Sequence, residues 1–186
     1  MAPGAHFVMS WLSSVPLFKE RRERIILTLA GISPDIDGVG IVIDKLSGGK
    51  TDLYFQYHHY FGHNLFFAIF VSILAYSFAN VSKLTVMFIA FLLVHLHFLC
   101  DIIGSMGPDG YHWPIYYLYP INKSLELTWS GQWELNAWPN HVIVAMLLAV
   151  SFLVAVKKQF SFIEVISPRL DKEAFIMWHK YVKKNT

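Results

Sequence analysis

Three long apolar runs alternate with more polar segments along the chain. They extend from Leu65 to about Val81, from Leu84 to about Ile103, and from His141 to about Val156. A helix that crosses a bilayer needs about 20 apolar residues, within a range of about 17–25. The pattern therefore predicts an all-α integral membrane bundle with about three to four spanning helices. The alternative is a helical protein with unusually apolar core helices.

The remaining segments predict shorter elements. Residues 17–32 predict an amphipathic helix closed by Gly31, and "SPDIDGVG" at 33–40 predicts a turn. Residues 104–140 hold four glycines, four prolines and four tryptophans, which favours an ordered loop or short helices at the membrane interface. Residues 157–186 form a basic tail that predicts one amphipathic helix, and residues 1–186 together form a single membrane-embedded domain.

The first two apolar runs are separated only by "NVSK" and its neighbours, so they must form an antiparallel hairpin. The start of the first run and the end of the second then lie at the same membrane face. His58, His59 and His63 precede the first run, while His97 and Asp101 end the second. Connectivity alone therefore predicts a cluster of histidines and a carboxylate at one face.

Composition supports a membrane protein and argues against a nucleic-acid partner and cysteine-based sites. The chain is 55% hydrophobic and 15% charged, whereas a soluble domain is about 25% charged. The net charge of +2 and the absence of a basic patch interleaved with aromatics argue against a nucleic-acid partner. The single cysteine, Cys100, excludes an intramolecular disulfide and a Cys-x-x-Cys zinc site, and we expect it to be buried by packing.

The segment "HLHFLCD" places His97 and Asp101 four residues apart. Four residues of helix turn about 400°, so both side chains lie on one side of the helix. This spacing suits two ligands of one metal, or a ligand and the carboxylate that orients it. A simple hydrogen bond between the two is the alternative. His95 points elsewhere on the helix, so we expect it to have a packing or hydrogen-bonding role.

The segment "HHYFGHN" contributes three more imidazoles. On a continuous helix His59 and His63 share a face, whereas His58 joins them only if the helix begins after it. The alternative is an interfacial cluster of aromatic residues and histidines without a metal.

Two further segments offer ligands. Asp35 and Asp37 in "SPDIDG" are close enough to repel each other unless a cation neutralises them, although aspartate is also common in turns. His6 is the weakest candidate from spacing alone. Imidazoles and carboxylates together suit Zn²⁺, or Mn²⁺ and Fe²⁺ with more oxygen ligands, and their number predicts one to three ions. We expect structural roles for His112, Asp109, His141 and Glu134, and a solvated His179.

The order of these segments resembles the membrane-bound metal-dependent hydrolase family, which includes a LexA-regulated bacterial inner-membrane protein and is distantly similar to zinc-dependent phospholipase C. The resemblance covers residues 6 to about 120 through "GAHFVMS", "SPDID", "HHYFGHN", "HLHFLCD" and "GPDGYHWP". It implies a metal site formed by His6, Asp35, Asp37, His58, His63, His97 and Asp101. His59 and Gly62 stand where the family has arginine and threonine, so His59 is either an added ligand or a replacement with a new role.

These observations lead to the expectation of a multi-pass metallohydrolase, in the bacterial inner membrane if the resemblance holds. A divalent metal, Zn²⁺ above all, would activate water against a lipid-like phosphoester, with Asp35 or Asp37 as the general base. The alternatives are a non-enzymatic membrane protein that binds or transports a metal, and a haem-binding membrane protein.

The positive-inside rule gives conflicting signals about the side of the membrane. Lys83, Lys157 and Lys158 lie at the face opposite the histidines, which favours an outward-facing site. The segment "KERRER" lies on the same side as the site if residues 1–63 do not cross the membrane. The conflict eases if residues 25–46 enter the bilayer.

Overall fold

The computed structural model describes residues 1–107 and 109–181, so the last five residues of the predicted tail lie outside the described part of the chain. The architecture is the predicted all-α membrane bundle. Its elements in order are α1 (Pro3–Ser14), α2 (Arg21–Ile32), a 3₁₀ helix (Ser33–Val39), α3 (Gly40–Leu46), α4 (Leu53–Tyr57), α5 (Leu65–Phe78), α6 (Lys83–Gly104), β1 (Ile115–Tyr116), β2 (Glu126–Leu127), α7 (Trp138–Lys158), α8 (Ile163–Ile166) and α9 (Pro168–Tyr181).

Three helical segments in the described part of the chain are long and apolar enough to cross a membrane. α6 and α7 confirm the second and third predicted spans. The third such segment, Arg21–Leu46, combines α2, the 3₁₀ helix and α3. The prediction of a turn at 33–40 is therefore wrong. Pro34 lies in the first turn of the 3₁₀ helix, where a missing N–H costs little, so the chain stays helical.

α5 is shorter than the predicted run to Val81. It has 14 residues and ends at Phe78, so it is about 21 Å long against a hydrocarbon core of about 30 Å. The predicted hairpin with α6 is confirmed, and Ser82 closes the turn with a left-handed backbone (φ 45°). The core between α2, α5 and α6 consists mainly of small and branched residues: Leu27, Ala68, Val71, Ala75, Val86, Ala90, Leu93 and Val94.

α2 begins at the end of the bundle that lies away from the histidines. The Glu23 carboxylate accepts hydrogen bonds from the backbone N–H groups of Asn80 (2.9 Å) and Val81 (3.1 Å). The Arg22 Nε atom donates to the carbonyl oxygen of Phe78 at 2.8 Å. The segment "KERRER" therefore lies on the side opposite the site, and the conflict over sidedness disappears.

Of the two remaining predictions, one needs correction. The segment between α6 and α7 is the loop predicted as one of two alternatives for residues 104–140, and its described part contains a short antiparallel pair with Ile115 opposite Leu127. The tail is not one helix. Gln159 ends α7 with a left-handed backbone (φ 63°), and α8 and α9 follow as separate helices.

α8 anchors the tail to the bundle. The buried Glu164 carboxylate accepts hydrogen bonds from Arg24 Nη2 (2.6 Å) and Trp11 Nε1 (3.0 Å). These contacts join α8 to α1 and α2 at the end of the bundle opposite the histidines.

Candidate metal centre

All eight predicted ligands come together at one end of the bundle. α1 contributes His6, and the 3₁₀ helix contributes Asp35 and Asp37. The segment between α4 and α5 contributes the histidines 58, 59 and 63, and the last turns of α6 contribute His97 and Asp101.

Asp101 lies at the centre of the cluster and is almost fully buried. Its Oδ1 atom is 3.1 Å from His6 Nε2, and its Oδ2 atom is 3.0 Å from His97 Nε2 and 3.2 Å from His63 Nε2. His59 Nε2 is 3.9 Å from the same Oδ2 atom. Four histidines from three separate segments therefore direct Nε2 at one carboxylate, and the amino group of Met1 also contacts Oδ1.

The outer nitrogens of two of these rings define which atom carries the proton. His97 Nδ1 lies 2.7 Å from the carbonyl oxygen of Gly31, which can only accept, so Nδ1–H must be the donor. His63 Nδ1–H donates to Asp37 Oδ2 at 2.9 Å. In the neutral rings, both Nε2 atoms then point lone pairs into the cluster, where they are 3.2 Å apart. Lone pairs this close require a proton or a metal ion between them.

The donor set fits divalent metal ions. Ligand atoms of His6, Asp35, His97 and Asp101 form one group within 4.8 Å of one another, and His59, His63 and Asp101 form a second. Asp101 belongs to both groups, so its carboxylate can bridge two ions. Asp35 Oδ1 is 3.7 Å from His97 Nε2, while Asp35 Oδ2 is buried and has no hydrogen-bond partner among the described residues, so it is available to a cation or to a water molecule.

Asp37 lies outside both ligand groups. Its carboxylate accepts hydrogen bonds from His58 Nδ1 at 2.8 Å and from His63 Nδ1 at 2.9 Å. It also accepts from the backbone N–H groups of His59 (3.0 Å) and Gly62 (3.2 Å). These contacts use both oxygens, so in this arrangement Asp37 orients the histidine segment rather than adding a ligand to either group.

The segment that carries the three histidines is not helical. α4 ends at Tyr57, His59 has a left-handed backbone (φ 70°), and α5 begins only at Leu65. Asn64 caps α5 by accepting from the N–H of Phe67 at 2.9 Å. The continuous helix that would give His59 and His63 a shared face is absent here, and the alternative, a helix that begins after His58, is confirmed. They come together because the chain loops around the Asp37 carboxylate.

Gly62 allows this loop to lie directly on the 3₁₀ helix. A Cβ atom at Gly62 would be 2.1 Å from the carbonyl oxygen of Pro34. No side chain fits there unless the backbone moves. Gly62 stands where the metal-dependent hydrolase family described above has threonine. It lets the segment with the three histidines pack against the 3₁₀ helix that carries Asp35 and Asp37.

Burial and neighbouring charges shift the pKa values of His63 and His59 in opposite directions. Burial lowers the pKa of His63, but Asp37 and Asp101 outweigh this effect and raise the pKa to about 9. Burial lowers the pKa of His59 well below its usual range, and the neighbouring His63 and His58 lower it further. Without a metal ion, these shifts favour a protonated His63 and a neutral His59.

A cavity of about 430 Å³ opens over the cluster. Asp35, His58 and Asp101 line its polar side, and the other walls are mainly apolar or aromatic, from Ile41, Tyr54, Met106, Trp113 and Leu135. Sequence reasoning missed Tyr54 and the carbonyl of Gly31. Trp113 could have been recognised from the sequence, because it lies in the segment "GPDGYHWP", which is part of the family resemblance.

The other candidates lie outside the two ligand groups. His95 bonds to the carbonyl of Phe91 (2.8 Å) and the hydroxyl of Tyr117 (2.9 Å), in agreement with its predicted structural role. Cys100 is buried against Met9, as expected.

Comparison with known proteins identifies the family. No curated protein and no solved structure matches the chain. Residues 1–165 match the family model described as YdjM inner membrane protein. This match, together with three apolar helices that can span a bilayer, places the chain in the inner membrane as a multi-pass protein. The chain belongs to the YdjM inner membrane protein family.

Proposed function

We propose that this protein is a metal-dependent hydrolase that cleaves a phosphoester of a lipid-like substrate at the membrane surface. The observation that carries the proposal is the convergence of His63 Nε2, His97 Nε2 and Asp101 Oδ2 within 3.2 Å of one another. Their outer nitrogens are fixed by a carboxylate and a carbonyl, which is how proteins orient metal-binding imidazoles.

His6, Asp35, His97 and Asp101 would hold one ion, and His59, His63 and Asp101 a second. A bound Zn²⁺, Mn²⁺ or Fe²⁺ supplies Lewis acidity that lowers the pKa of water and polarises a phosphoryl oxygen. Asp35 is the stronger candidate for the general base, because its Oδ2 atom is unpaired among the described residues and its carboxylate lines the cavity. Asp37 is the weaker one, because both of its oxygens are already bonded.

His58, expected from the resemblance to be a ligand, lies outside both ligand groups, and we assign it instead to the return of the proton to the leaving group. Its Nδ1–H donates to Asp37 at 2.8 Å, and its ring lines the same cavity as Asp35. A histidine held by a carboxylate in this way is a common general acid. The apolar and aromatic walls of the cavity favour a substrate with a hydrocarbon part, and therefore a lipid.

The first test compares two histidines of α6. We expect the purified protein to contain at least one tightly bound transition metal per chain and to hydrolyse bis-p-nitrophenyl phosphate or a phospholipid. His97→Asn removes a ligand and should abolish metal retention and hydrolysis. His95→Asn is the matched control two residues away, and it should preserve both.

Three outcomes would discriminate between the functions. Metal-free protein whose properties are unchanged by His97→Asn and His63→Ala contradicts a metal centre. Bound metal without hydrolysis, together with metal flux in proteoliposomes, supports the transport alternative. A Soret band in the purified protein supports haem binding.

A further inference from the structure

A second, larger cavity runs along α2 and α5, from Arg21 at the end away from the metal centre to Ser33, two residues before Asp35. It is a groove of about 660 Å³ between α2 and α5. Its floor and walls are almost entirely apolar, with Ile25, Ile26, Leu29, Val71, Leu74 and Phe78 as the larger side chains. Leu29 is 51% exposed and Phe78 is 58% exposed, so the groove opens outward from the helix pair.

Two arginines stand at one end of this groove. Arg21 and Arg22 belong to its lining and lie in the first turn of α2. Arg21 donates through Nε and Nη2 to the carbonyl oxygen of Glu164, and Arg22 donates through Nε to the carbonyl oxygen of Phe78. Both guanidinium groups are therefore held in place by neutral acceptors.

The charges of these arginines remain uncompensated. Neither Arg21 nor Arg22 forms an ion pair within the described ranges 1–107 and 109–181, whereas Arg24 is paired with the Glu164 carboxylate at 2.6 Å. Each arginine has five N–H donors and uses only one or two of them here. The remaining donors suit an anion with several oxygens, such as a phosphate.

The length of the groove matches a lipid better than it matches a membrane-spanning protein helix. From Arg21 to Ser33 it follows 12 residue steps of helix, which is about 18 Å. One leaflet of a bilayer has a hydrocarbon thickness of about 15 Å, whereas a spanning helix covers about 30 Å. A charged end and an apolar length of one leaflet together match one phospholipid.

We propose that the groove between α2 and α5 binds one anionic phospholipid, with its phosphate at Arg21 and Arg22 and an acyl chain along Leu29 and Leu74. This site is separate from the metal centre and needs neither bound metal nor hydrolytic activity. Its test therefore uses protein freed of metal by a chelator, so that failure here leaves the proposed function unaffected.

The experiment measures lipids retained by the detergent-solubilised full chain in native mass spectrometry. We expect one molecule of phosphatidylglycerol per chain and about tenfold weaker retention of phosphatidylcholine with the same chains. The double variant Arg21→Gln/Arg22→Gln should bind phosphatidylglycerol about tenfold more weakly, as expected from the loss of about one charge-assisted hydrogen bond. Arg169→Gln, on exposed α9, is the charge-matched control and should behave as the unmodified protein.

Two further variants keep the test decisive. Arg22→Gln alone removes only one solvent-exposed hydrogen bond, so it should fold and still weaken binding of the anionic lipid. Leu29→Trp fills the groove and should weaken both lipids alike. Equal retention of the two lipids by the unmodified protein, full retention by Arg22→Gln, or a lipid-free dimer cross-linked through Leu29→Cys would each overturn the proposal.

Discussion

His59 combines an unfavourable backbone with a completely buried side chain. A non-glycine residue in the left-handed region costs about 1–2 kcal/mol, and Nδ1 of this histidine is buried without a hydrogen bond among the described residues. Strain of this kind persists where function requires the side chain. Strain and burial at His59 therefore support its proposed place in the second ligand group over a packing role.

We therefore expect His59→Asn to separate stability from metal binding. Asparagine adopts the left-handed region more readily, so the metal-free variant should be at least as stable as the unmodified protein in thermal unfolding. Its metal affinity should fall by about tenfold or more. A variant that is less stable yet binds metal normally would show that His59 has a packing role.

A second prediction about a single residue concerns Asp37. Asp37→Asn keeps the size of the side chain but removes the charge that orients His58 and His63. Loss of such an orienting group lowers metal affinity or activity by about 10–100-fold. Metal titration should show this decrease with little change in helix content, while Glu173→Gln on exposed α9 should have no effect. Complete loss of metal would instead make Asp37 a ligand.

The contact between α1 and α2 sets the position of His97. A Cβ atom at Gly31 would be 1.9 Å from Ser10 Oγ and 2.7 Å from Ser10 Cβ. The carbonyl of the same glycine fixes His97 Nδ1. Close approach of the two helices is therefore coupled to the orientation of a metal ligand.

We predict that Gly31→Ala destabilises the protein by about 1–3 kcal/mol, the usual cost of overpacking, and lowers metal content. Both close atoms belong to Ser10, whose hydroxyl has no hydrogen bond among the described residues. The double variant Gly31→Ala/Ser10→Gly should therefore recover stability and metal binding. Thermal unfolding and metal analysis test both variants, and failure of the rescue would contradict the steric explanation.

Elements with strong local signals could be predicted from the sequence, and the others could not. α6 and α7 are long apolar runs, and the short turn before Lys83 requires a hairpin. The helical continuation through Pro34 and Gly38 was missed because both residues usually indicate a turn. The residues of the cluster were predictable from residue types, but their arrangement depends on a looped backbone at His59 and a carbonyl at Gly31. Neither leaves a signal in the sequence.

Charge is distributed unevenly between the two ends of the whole molecule. Lys19, Arg21, Arg22, Arg24, Lys83, Lys157 and Lys158 lie at or near the starts of α2 and α6 and the end of α7, away from the metal centre. Lys45, Lys50 and Lys123 lie in the segments on the side of the centre. Cytoplasmic segments carry an excess of lysine and arginine, so we predict that the candidate metal centre and its cavity face the outer side of the inner membrane.

Cysteine labelling at the two ends tests this orientation. Ile121 is 79% exposed in the segment after Tyr117, whose carbonyl accepts from the N–H of Leu65 at the start of α5, and Val81 is 42% exposed in the turn between α5 and α6. In intact spheroplasts, a membrane-impermeant maleimide should label Ile121→Cys, whereas Val81→Cys should react only after the membrane is opened. The native Cys100 is buried and should stay unlabelled in the folded protein, which provides the background control. The reverse pattern would place the centre in the cytoplasm, and labelling of both positions in intact spheroplasts would show that the α5–α6 hairpin does not cross the membrane.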